Sequence, residues 1–387
     1  MNILVVRFEN FPYGSAPAFR TLQLLNLVAM CGHDITVICK SFNADAAFIS
    51  NWNDSKTKIK CISVNEKFKC SYKTALQYSL SNEKYDAVIR PTSIRHFSEV
   101  DAVIKKYGLP QVFDSVEWYD ASNWRLQWID PRYYYFQYLW RYAFGKANGI
   151  IAISRLIQKY YTQQNSNVVR IPTITDCSET PYRTTIDQKK IRFVFAGQLD
   201  KGKDNIDTFI EAMHLVDPKG ERTVLDVYGP SAETVRKHLG QKAELLKEHK
   251  NIIVHGRVPQ QEAQNACSNS DFSVFFRLNR RSANAGFPTK LGECMTFGTP
   301  AICNNTGDVS LVIKDKVNGF LLKAKSVEEI TGTLRYILSL SEEQRSQMRL
   351  EARKSAASFF DYRNYCEEMQ NVLTAAVKGE KPKHGTV

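Results

Sequence analysis

The sequence lacks several features that would place it in large classes of protein. Its longest apolar runs, such as LLNLVAMC at 24–31, are far shorter than the roughly 20 residues that a membrane span needs. The opening MNILVVRFEN reaches a charge at Arg7 and has no apolar core of a signal peptide. Nine cysteines form no Cys-x-x-Cys pair, and their odd number favours reduced thiols. These absences predict a cytoplasmic protein.

Other absences concern the ligand. No Gly-x-Gly-x-x-Gly follows a predicted strand, which speaks against a dinucleotide dehydrogenase. The seven histidines show no metal-ligand spacing, and no long Lys/Arg run or nucleic-acid motif occurs. The net charge is nevertheless +12, which predicts an anionic partner other than nucleic acid. A basic stretch at 56–73 fits either a solvated face or attraction to an anionic membrane.

The chain has the pattern of a two-domain α/β protein. Its 387 residues exceed the roughly 250–300 at which a single core stops growing. Short apolar runs alternate with helical patterns, which is typical of doubly wound parallel sheets. The predicted strands are 2–6, 34–39, 86–90, 111–114, 149–154, 192–197, 224–229, 251–256, 271–276, 300–304 and 319–322. Pro17 and Gly32 bracket a helix between the first two strands.

Domain limits follow from a segment with little periodicity, IPTITDCSETPYRTTIDQKK. We expect an N-terminal domain over 1–172, a linker over 173–189, a C-terminal domain over 190–354 and a flexible tail over 377–387. Two such domains imply a cleft between the carboxyl ends of two sheets, where ligands of open α/β sheets bind.

The stretch AGFPTKLGECMTFGTPAI (285–302) carries the clearest chemistry. Gly286 and Pro288 predict a loop, Thr289 a helix N-cap, and Glu293 lies one turn into the helix. A helix N-terminus binds anions, and a carboxylate one turn along can accept hydrogen bonds from a ribose diol. The residues therefore indicate a nucleoside-diphosphate site, although a structural βα turn with an exposed acid is the alternative.

This stretch resembles the donor-binding signature of the retaining family 4 (group 1) glycosyltransferases, in the variants written FPTK..E. Similar segments are GSAPAFRTLQLLNLVAMCGHDITVI, ANGIIAISRLIQKYY, FVFAGQLDKGKDNIDTFIEAM, VYGPS and IIVHGRV. The resemblance implies a GT-B fold, with two Rossmann-like domains facing a central cleft. It implies an acceptor-binding N-terminal domain, a donor-binding C-terminal domain, and a helix at about 355–376 that packs back on the first.

The resemblance also implies a reaction. A sugar passes from a nucleoside-diphosphate sugar to an acceptor hydroxyl with retention of configuration. The FPTK variants imply synthesis of bacterial surface polysaccharide, such as capsule, exopolysaccharide or O-antigen.

Site residues follow from the same resemblance. Glu293 matches the glutamate that binds the ribose, and Lys201 a lysine that faces the diphosphate. Gln198 stands where the family has an arginine, and Ala285 where it usually has a second glutamate. The predicted donor-binding residues are Gly14, Ser15, Gly197, Gln198, Lys201, Gly256, Val258, Arg277, Arg281, Ala285, Gly286, Phe287, Pro288, Thr289, Lys290, Leu291 and Glu293.

The positive charge that stabilises the diphosphate must then come from the protein rather than from a metal ion. The sequence contains no Asp-x-Asp, the motif with which many glycosyltransferases hold a divalent ion, so no metal or other cofactor is expected. Because glutamine carries no charge, we expect Arg277, Arg280 or Arg281 to compensate for Gln198. A solvated loop is the alternative role for these arginines.

Residues of the N-terminal domain are candidates for the acceptor side. Arg20 and Trp118 are predicted to bind the acceptor, although a solvated helix position would also explain Arg20. Asp114 and Glu117 follow a strand and join Lys201 and Glu293 as predicted catalytic residues, since either can orient the acceptor hydroxyl. A simple loop cap is the alternative for both.

A final segment, WRLQWIDPRYYYFQYLWRYAF (124–144), mixes aromatic residues and arginines. Either it packs in the core, or it touches an anionic membrane at the inner face of the cytoplasmic membrane, as a polyprenyl-diphosphate-linked acceptor would require. Two rival functions stay open. One is a non-catalytic scaffold or glycan-binding protein, suggested by Ala285 and Gln198, and the other is a nucleotide-sugar epimerase on the same fold.

Overall fold

The computed structural model describes residues 1–12, 15–42, 59–68, 71–178, 189–199, 204–248, 250–323 and 326–379. The predicted site residues Gly14 and Lys201 lie outside these ranges, as do most of the predicted linker and tail. The chain divides into two compact units. The N-terminal unit comprises Met1–Ile174, Ala285–Phe287 and the segment from Tyr362 onward. The C-terminal unit comprises Thr175–Asn284 and Pro288–Asp361.

The regular elements alternate along the chain. The strands are β1 (Asn2–Val6), β2 (Asp34–Cys39), β3 (Ile59–Ser63), β4 (Ala87–Pro91), β5 (Gln111–Ser115), β6 (Gly149–Ala152), β7 (Val168–Arg170), β8 (Ile191–Ala196), β9 (Asp204–Asn205), β10 (Thr223–Tyr228), β11 (Ile252–Gly256), β12 (Phe272–Arg277), β13 (Ala301–Asn304) and β14 (Gly319–Leu322). The helices are α1 (Ala16–Met30), α2 (Val64–Lys67), α3 (Tyr72–Asn82), α4 (Phe97–Lys106), α5 (Pro131–Tyr138), α6 (Arg155–Thr162), α7 (Asp207–Val216), α8 (Ala232–Leu239), α9 (Leu245–Glu248), α10 (Gln260–Ser268), α11 (Arg281–Ala285), α12 (Thr289–Thr296), α13 (Val327–Ser339), α14 (Glu342–Phe359) and α15 (Cys366–Lys378).

The N-terminal unit is built on a sheet of seven strands in the order β3-β2-β1-β4-β5-β6-β7. Every neighbouring pair is parallel, with β1 central between β2 and β4. The residues of β1 alternate between two apolar clusters, with Ile3 and Val5 in one and Leu4 and Val6 in the other, because helices cover the sheet on both sides. The helix predicted between the first two strands is confirmed as α1, with Pro17 in its first turn and Gly32 beyond its last at a φ of 80°.

Helix α15 completes the core of this unit, although it comes from the far end of the chain. Met369, Val372 and Leu373 are buried in the same apolar cluster as Leu24 and Val28 of α1. The amide of Asn167 also donates a hydrogen bond of 2.9 Å to the carbonyl of Val372. The C-terminal helix is therefore fixed to the N-terminal unit by apolar and polar contacts.

The C-terminal unit contains a second parallel sheet, in the order β11-β10-β8-β12-β13-β14, and β9 pairs antiparallel with β12. All eleven predicted strands are present with ends shifted by no more than two residues. Strands β3, β7 and β9 were not predicted. β3 interrupts its apolar residues with exposed Lys60, and the other two are only three and two residues long. The prediction of two doubly wound α/β domains is confirmed.

Candidate active site

Three neighbouring strands of the C-terminal unit end on glycine at one edge of the sheet. Gly197 follows β8, Gly229 follows β10 and Gly256 ends β11, with φ angles of 147°, 110° and 74°. The amide of Gly197 donates to the carbonyl of Tyr228 (3.0 Å), and that of Gly229 to the carbonyl of Gly256 (2.7 Å). A Cβ at Gly229 would lie 2.2 Å from the carbonyl oxygen of Gly197. Glycine is therefore required here by the positive φ angles and, at Gly229, by the close approach of the neighbouring backbone.

Helix α12 begins at Thr289, so the prediction that Thr289 is its N-cap is wrong. Pro288 occupies the cap position, and no side chain of the described residues caps the helix there. The reason is that Pro288, with φ near −71°, already has the backbone shape of a helix entry. The amides of the first turn keep the partial positive charge that attracts an anion.

Lys290 lies close to the glycine edge. Its ammonium nitrogen is 4.0 Å from the centroid of the Phe195 ring, and Phe195 belongs to β8. A Cβ at Gly197 would lie only 2.6 Å from that nitrogen. Gly197 is thus required both for its positive φ and for the space that the Lys290 ammonium occupies.

Glu293 follows Lys290 by three residues on α12, so both side chains project from the same side of the helix. The carboxyl is largely enclosed by protein, and this burial raises its pKa from 4.5 to about 7, although the nearby Lys290 acts to lower it. A carboxyl with a perturbed pKa beside a cation is typical of a functional site.

The loop before the signature is held by asparagine side chains. Asn304, at the end of β13, accepts a hydrogen bond from the amide of Arg277 and donates one to its carbonyl, both at 2.8 Å. Asn284 accepts from the amide of Gly307 (2.8 Å) and donates to the side chain of Asn279 (2.7 Å). Neighbouring Arg280 and Arg281, like Arg277, are half-buried. The backbone that carries the three candidate arginines is therefore well fixed.

The other predicted donor residues occupy different surroundings. Gln198 is exposed and Val258 half-buried, whereas Leu291 is fully buried in α12. Ala285, Gly286 and Phe287 are buried and belong to the N-terminal unit. There the hydroxyl of Ser154, which caps α6, donates a hydrogen bond of 2.6 Å to the carbonyl of Ala285.

Within the N-terminal unit, the predicted site residues Arg20 and Asp114 contact each other. Arg20 forms a buried ion pair with Asp114 at 2.7 Å and donates to the carbonyls of Ile171 and Pro172. Arg7 joins the same carboxylate at 3.0 Å. Burial acts to raise the pKa of Asp114, but the charges of the two arginines outweigh it and hold this pKa below its ordinary value. Asp114 is thus a weak base, and Arg20 is already occupied.

Three further predicted site residues of this unit make fewer contacts that bear on their roles. Ser15 is the N-cap of α1, where its hydroxyl accepts from the amide of Ala18 at 3.2 Å. Glu117 is half-buried in the loop after β5. Trp118 is half-buried and its ring stacks on that of Trp140, with centroids 5.1 Å apart.

Sequence reasoning missed Arg7, Gly229 and Asn304. Gly229 had a readable signal, since a glycine directly after an apolar strand at a predicted sheet edge marks close backbone approach. Arg7 and Asn304 gave none, because their partners Asp114 and Arg277 are distant in sequence.

The C-terminal unit matches a known family. Residues 178–355 match the model of the glycosyl transferases group 1. Curated relatives are similar over short stretches. The GDP-Man:Man(3)GlcNAc(2)-PP-Dol alpha-1,2-mannosyltransferase of Xenopus tropicalis is 38% identical over 82 residues, which is 20% of this chain and 16% of the relative. The human enzyme of that name is 32% identical over 108 residues, or 27% and 20%. The aligned parts thus span a fifth of these relatives or less.

Solved structures resemble the whole chain. HepE of Anabaena in complex with UDP-glucose superposes with a TM-score of 0.67 at 14% identity, covering 97% of this chain and 100% of that one. WaaG, a glycosyltransferase involved in lipopolysaccharide biosynthesis, superposes with a TM-score of 0.67 at 18% identity, covering 96% and 99%. A glycosyltransferase of Rickettsia africae reaches 0.69 at 12% identity, covering 98% and 99%.

The fold defined by these likenesses and by the two sheets is GT-B, as predicted. The match to the group 1 glycosyl transferases covers residues 178–355, which is less than half of the chain.

Proposed function

We propose that this protein transfers a sugar from a nucleoside-diphosphate sugar to an acceptor hydroxyl. The observation that carries the proposal is the grouping of three elements in the C-terminal unit. The glycine edge, the Lys290 ammonium over β8 and the Glu293 carboxyl one turn into α12 lie together. This grouping offers separate partners for a diphosphate and for the ribose attached to it.

The diphosphate is assigned to the first turn of α12 and to Lys290. Helix amides and an ammonium both attract anions, and Gly197 leaves the room in which the Lys290 ammonium lies. Transfer of the sugar leaves a diphosphate with added negative charge, and fixed donors at that position lower the barrier. Arg277, Arg281 and Lys201 supplement the charge in this proposal.

Glu293 is assigned to the ribose. An ionised carboxylate accepts two hydrogen bonds from neighbouring hydroxyls, and it does so best when it is deprotonated. Because burial raises its pKa to about 7, ribose binding should strengthen as the pH rises through neutrality.

Retention of configuration is proposed from the resemblance to the FPTK..E enzymes. It implies attack of the acceptor hydroxyl on the same face from which the diphosphate leaves, and the diphosphate helps to remove the acceptor proton. No metal is assigned, since the sequence lacks Asp-x-Asp. Glu117, rather than the ion-paired Asp114, is the proposed carboxylate on the acceptor side.

The acceptor is proposed to be a glycan or a polyprenyl-diphosphate-linked glycan in bacterial surface polysaccharide synthesis. The names of the similar proteins support this class, since they include lipopolysaccharide biosynthesis and a dolichyl-diphosphate-linked glycan. The donor is a UDP-sugar or a GDP-sugar, because names of both kinds occur among the similar proteins.

A panel of UDP- and GDP-sugars tests the proposal, with release of UDP or GDP measured in the presence and absence of membrane extract. At least one donor should give turnover that Lys290→Ala lowers at least tenfold. Lys219→Ala, an exposed lysine in a turn of the same unit, is the matched control and should leave turnover unchanged. Absence of turnover with every donor, or equal turnover in both variants, would contradict the proposal.

One observation favours a second candidate, a non-catalytic glycan-binding protein on this fold. The family's usual second glutamate is replaced by Ala285, whose methyl group is fully buried and offers no polar contact to a sugar. Nucleotide release measured together with a thermal shift distinguishes the two functions. A binding protein would show a thermal shift with the nucleotide sugar but no release of nucleotide.

A further inference from the structure

Exposed apolar side chains are concentrated in one short part of the N-terminal unit. Of the sixteen large hydrophobic residues that are exposed in the described part of the chain, seven lie between residues 126 and 142. They are Leu126, Trp128, Ile129, Tyr134, Tyr135, Tyr138 and Tyr142. Single exposed apolar residues are ordinary on a protein surface, but a group of this kind marks an interaction site.

The tyrosines follow helical spacing. Tyr134, Tyr138 and Tyr142 are four residues apart, on α5 and the helical turn Leu139–Ala143 that continues it, and each is exposed by 57–59%. The opposite side of the same segment buries Phe136 and Trp140 completely or nearly so. Core packing therefore explains half of the aromatic residues in this segment and leaves a separate outward stripe without explanation.

The loop before α5 projects two larger groups. Trp128 is 63% exposed and Ile129 is 79% exposed. Gln127 beside them has a φ of 49°, a left-handed conformation that is unfavourable for a residue with a side chain. Asp130 ends the loop by capping α5, where it accepts from the amide of Arg132 at 3.0 Å. The loop is thus held in a defined shape that displays its apolar tip.

The exposed charged residues named here from the segment 121–146 have one sign. Arg125, Arg141 and Lys146 are exposed. The only acid between 121 and 146 is Asp130, which is 1% exposed and is neutralised by Arg132 at 2.7 Å. Tyrosine, tryptophan and arginine together are typical of a protein surface that lies at the depth of the lipid headgroups. There the rings lie at the boundary with the acyl chains and the cations lie at the phosphates.

We propose that the surface formed by Leu126, Trp128, Ile129, Tyr134, Tyr138 and Tyr142, with Arg125 and Arg141, docks on an anionic phospholipid bilayer. None of the helices in the described ranges has the length and apolarity to cross a bilayer, so the contact is peripheral. The docking does not use Lys290 or Glu293. It would stand even if the proposed transfer reaction failed, and it gives that reaction direct access to a lipid-linked acceptor.

Vesicle flotation of the full chain tests the proposal. Vesicles of phosphatidylcholine are compared with vesicles that contain about 30% phosphatidylglycerol, at about 0.05 M and 0.5 M salt. The protein should bind the anionic vesicles at least about tenfold better than the neutral ones, and the higher salt should weaken this binding. Absence of binding to anionic vesicles at low salt would overturn the proposal.

Substitutions within this surface test whether its exposed apolar side chains make the membrane contact. The pair Trp128→Ser and Ile129→Ser should lower anionic-vesicle binding at least about tenfold, since both side chains are exposed and carry the projecting apolar area. Leu215→Ser removes a comparably exposed leucine (56%) from α7 of the C-terminal unit and should change nothing. Equal melting temperatures of the variants and the parent show that folding is intact. If the paired variant binds vesicles like the parent, or if it instead dissociates a dimer seen by light scattering, the membrane assignment is wrong.

Discussion

Replacing Glu293 by glutamine should stabilise the folded protein at neutral and alkaline pH while it weakens nucleotide binding. Burial raises the pKa of this carboxyl from 4.5 to about 7, so its ionised form is less favourable in the native protein than in the unfolded chain. Glutamine has nearly the same shape and no charge. The variant therefore removes the electrostatic penalty and keeps the packing.

The sign and size of this change in stability follow from proton linkage. Below about pH 4.5 the carboxyl is protonated in both states and contributes nothing. Between about pH 4.5 and 7 only the unfolded chain is ionised, so stability falls as the pH rises. Above pH 7 the full penalty applies, about 3 kcal/mol at most and about 1.5 kcal/mol if residual exposure halves it. For a domain of this size that corresponds to roughly 3–10 °C in melting temperature.

Thermal unfolding of Glu293→Gln and the parent, measured at pH 5 and pH 8, checks the reasoning. The variant should melt higher at pH 8, and the difference should shrink at pH 5. Glu221→Gln, at an exposed turn of the same unit, should change the free energy of unfolding by less than about 0.5 kcal/mol at either pH. Equal or lower stability of Glu293→Gln at pH 8 would show that the carboxyl is not destabilised as described.

Two further predictions concern Gly197 and Asp114. Gly197→Ala should weaken nucleotide binding by at least about tenfold in calorimetry, because its methyl group would displace the Lys290 ammonium. Gly240→Ala is its control, since it shares a positive φ but meets no atom within 4 Å, and an equal effect of both would refute the steric explanation. Asp114→Asn should lower the free energy of unfolding in urea by about 3–5 kcal/mol, because Arg20 loses its buried partner. A loss below about 1 kcal/mol would contradict that role.

Sequence patterns predicted the fold because its strands are short apolar runs bounded by glycine, proline or charge. β1 and β2 have the predicted limits, since Gly32 marks the turn between α1 and β2 and the acid Asp34 begins β2. The ends of most other predicted strands shifted by one or two residues, because a ladder of hydrogen bonds continues until its partner strand ends. β7 pairs along three residues only, too few to form a pattern.

The site was predictable only where its residues are neighbours in the chain. Lys290 and Glu293 stand three residues apart, so their joint position on α12 follows from helical geometry. The contact of Lys290 with Phe195 and the ion pair of Arg20 with Asp114 join residues more than ninety positions apart. Nothing local in the sequence distinguishes an arginine that will be buried from one that will meet a ligand.

The most direct test of the central claim is a crystal structure of the protein with a bound nucleoside-diphosphate sugar. The account predicts the diphosphate against the first turn of α12 beside Gly197 and Lys290, and the ribose hydroxyls within hydrogen-bond distance of the Glu293 carboxylate. A nucleotide bound elsewhere on the chain, or one whose ribose makes no contact with Glu293, would contradict it.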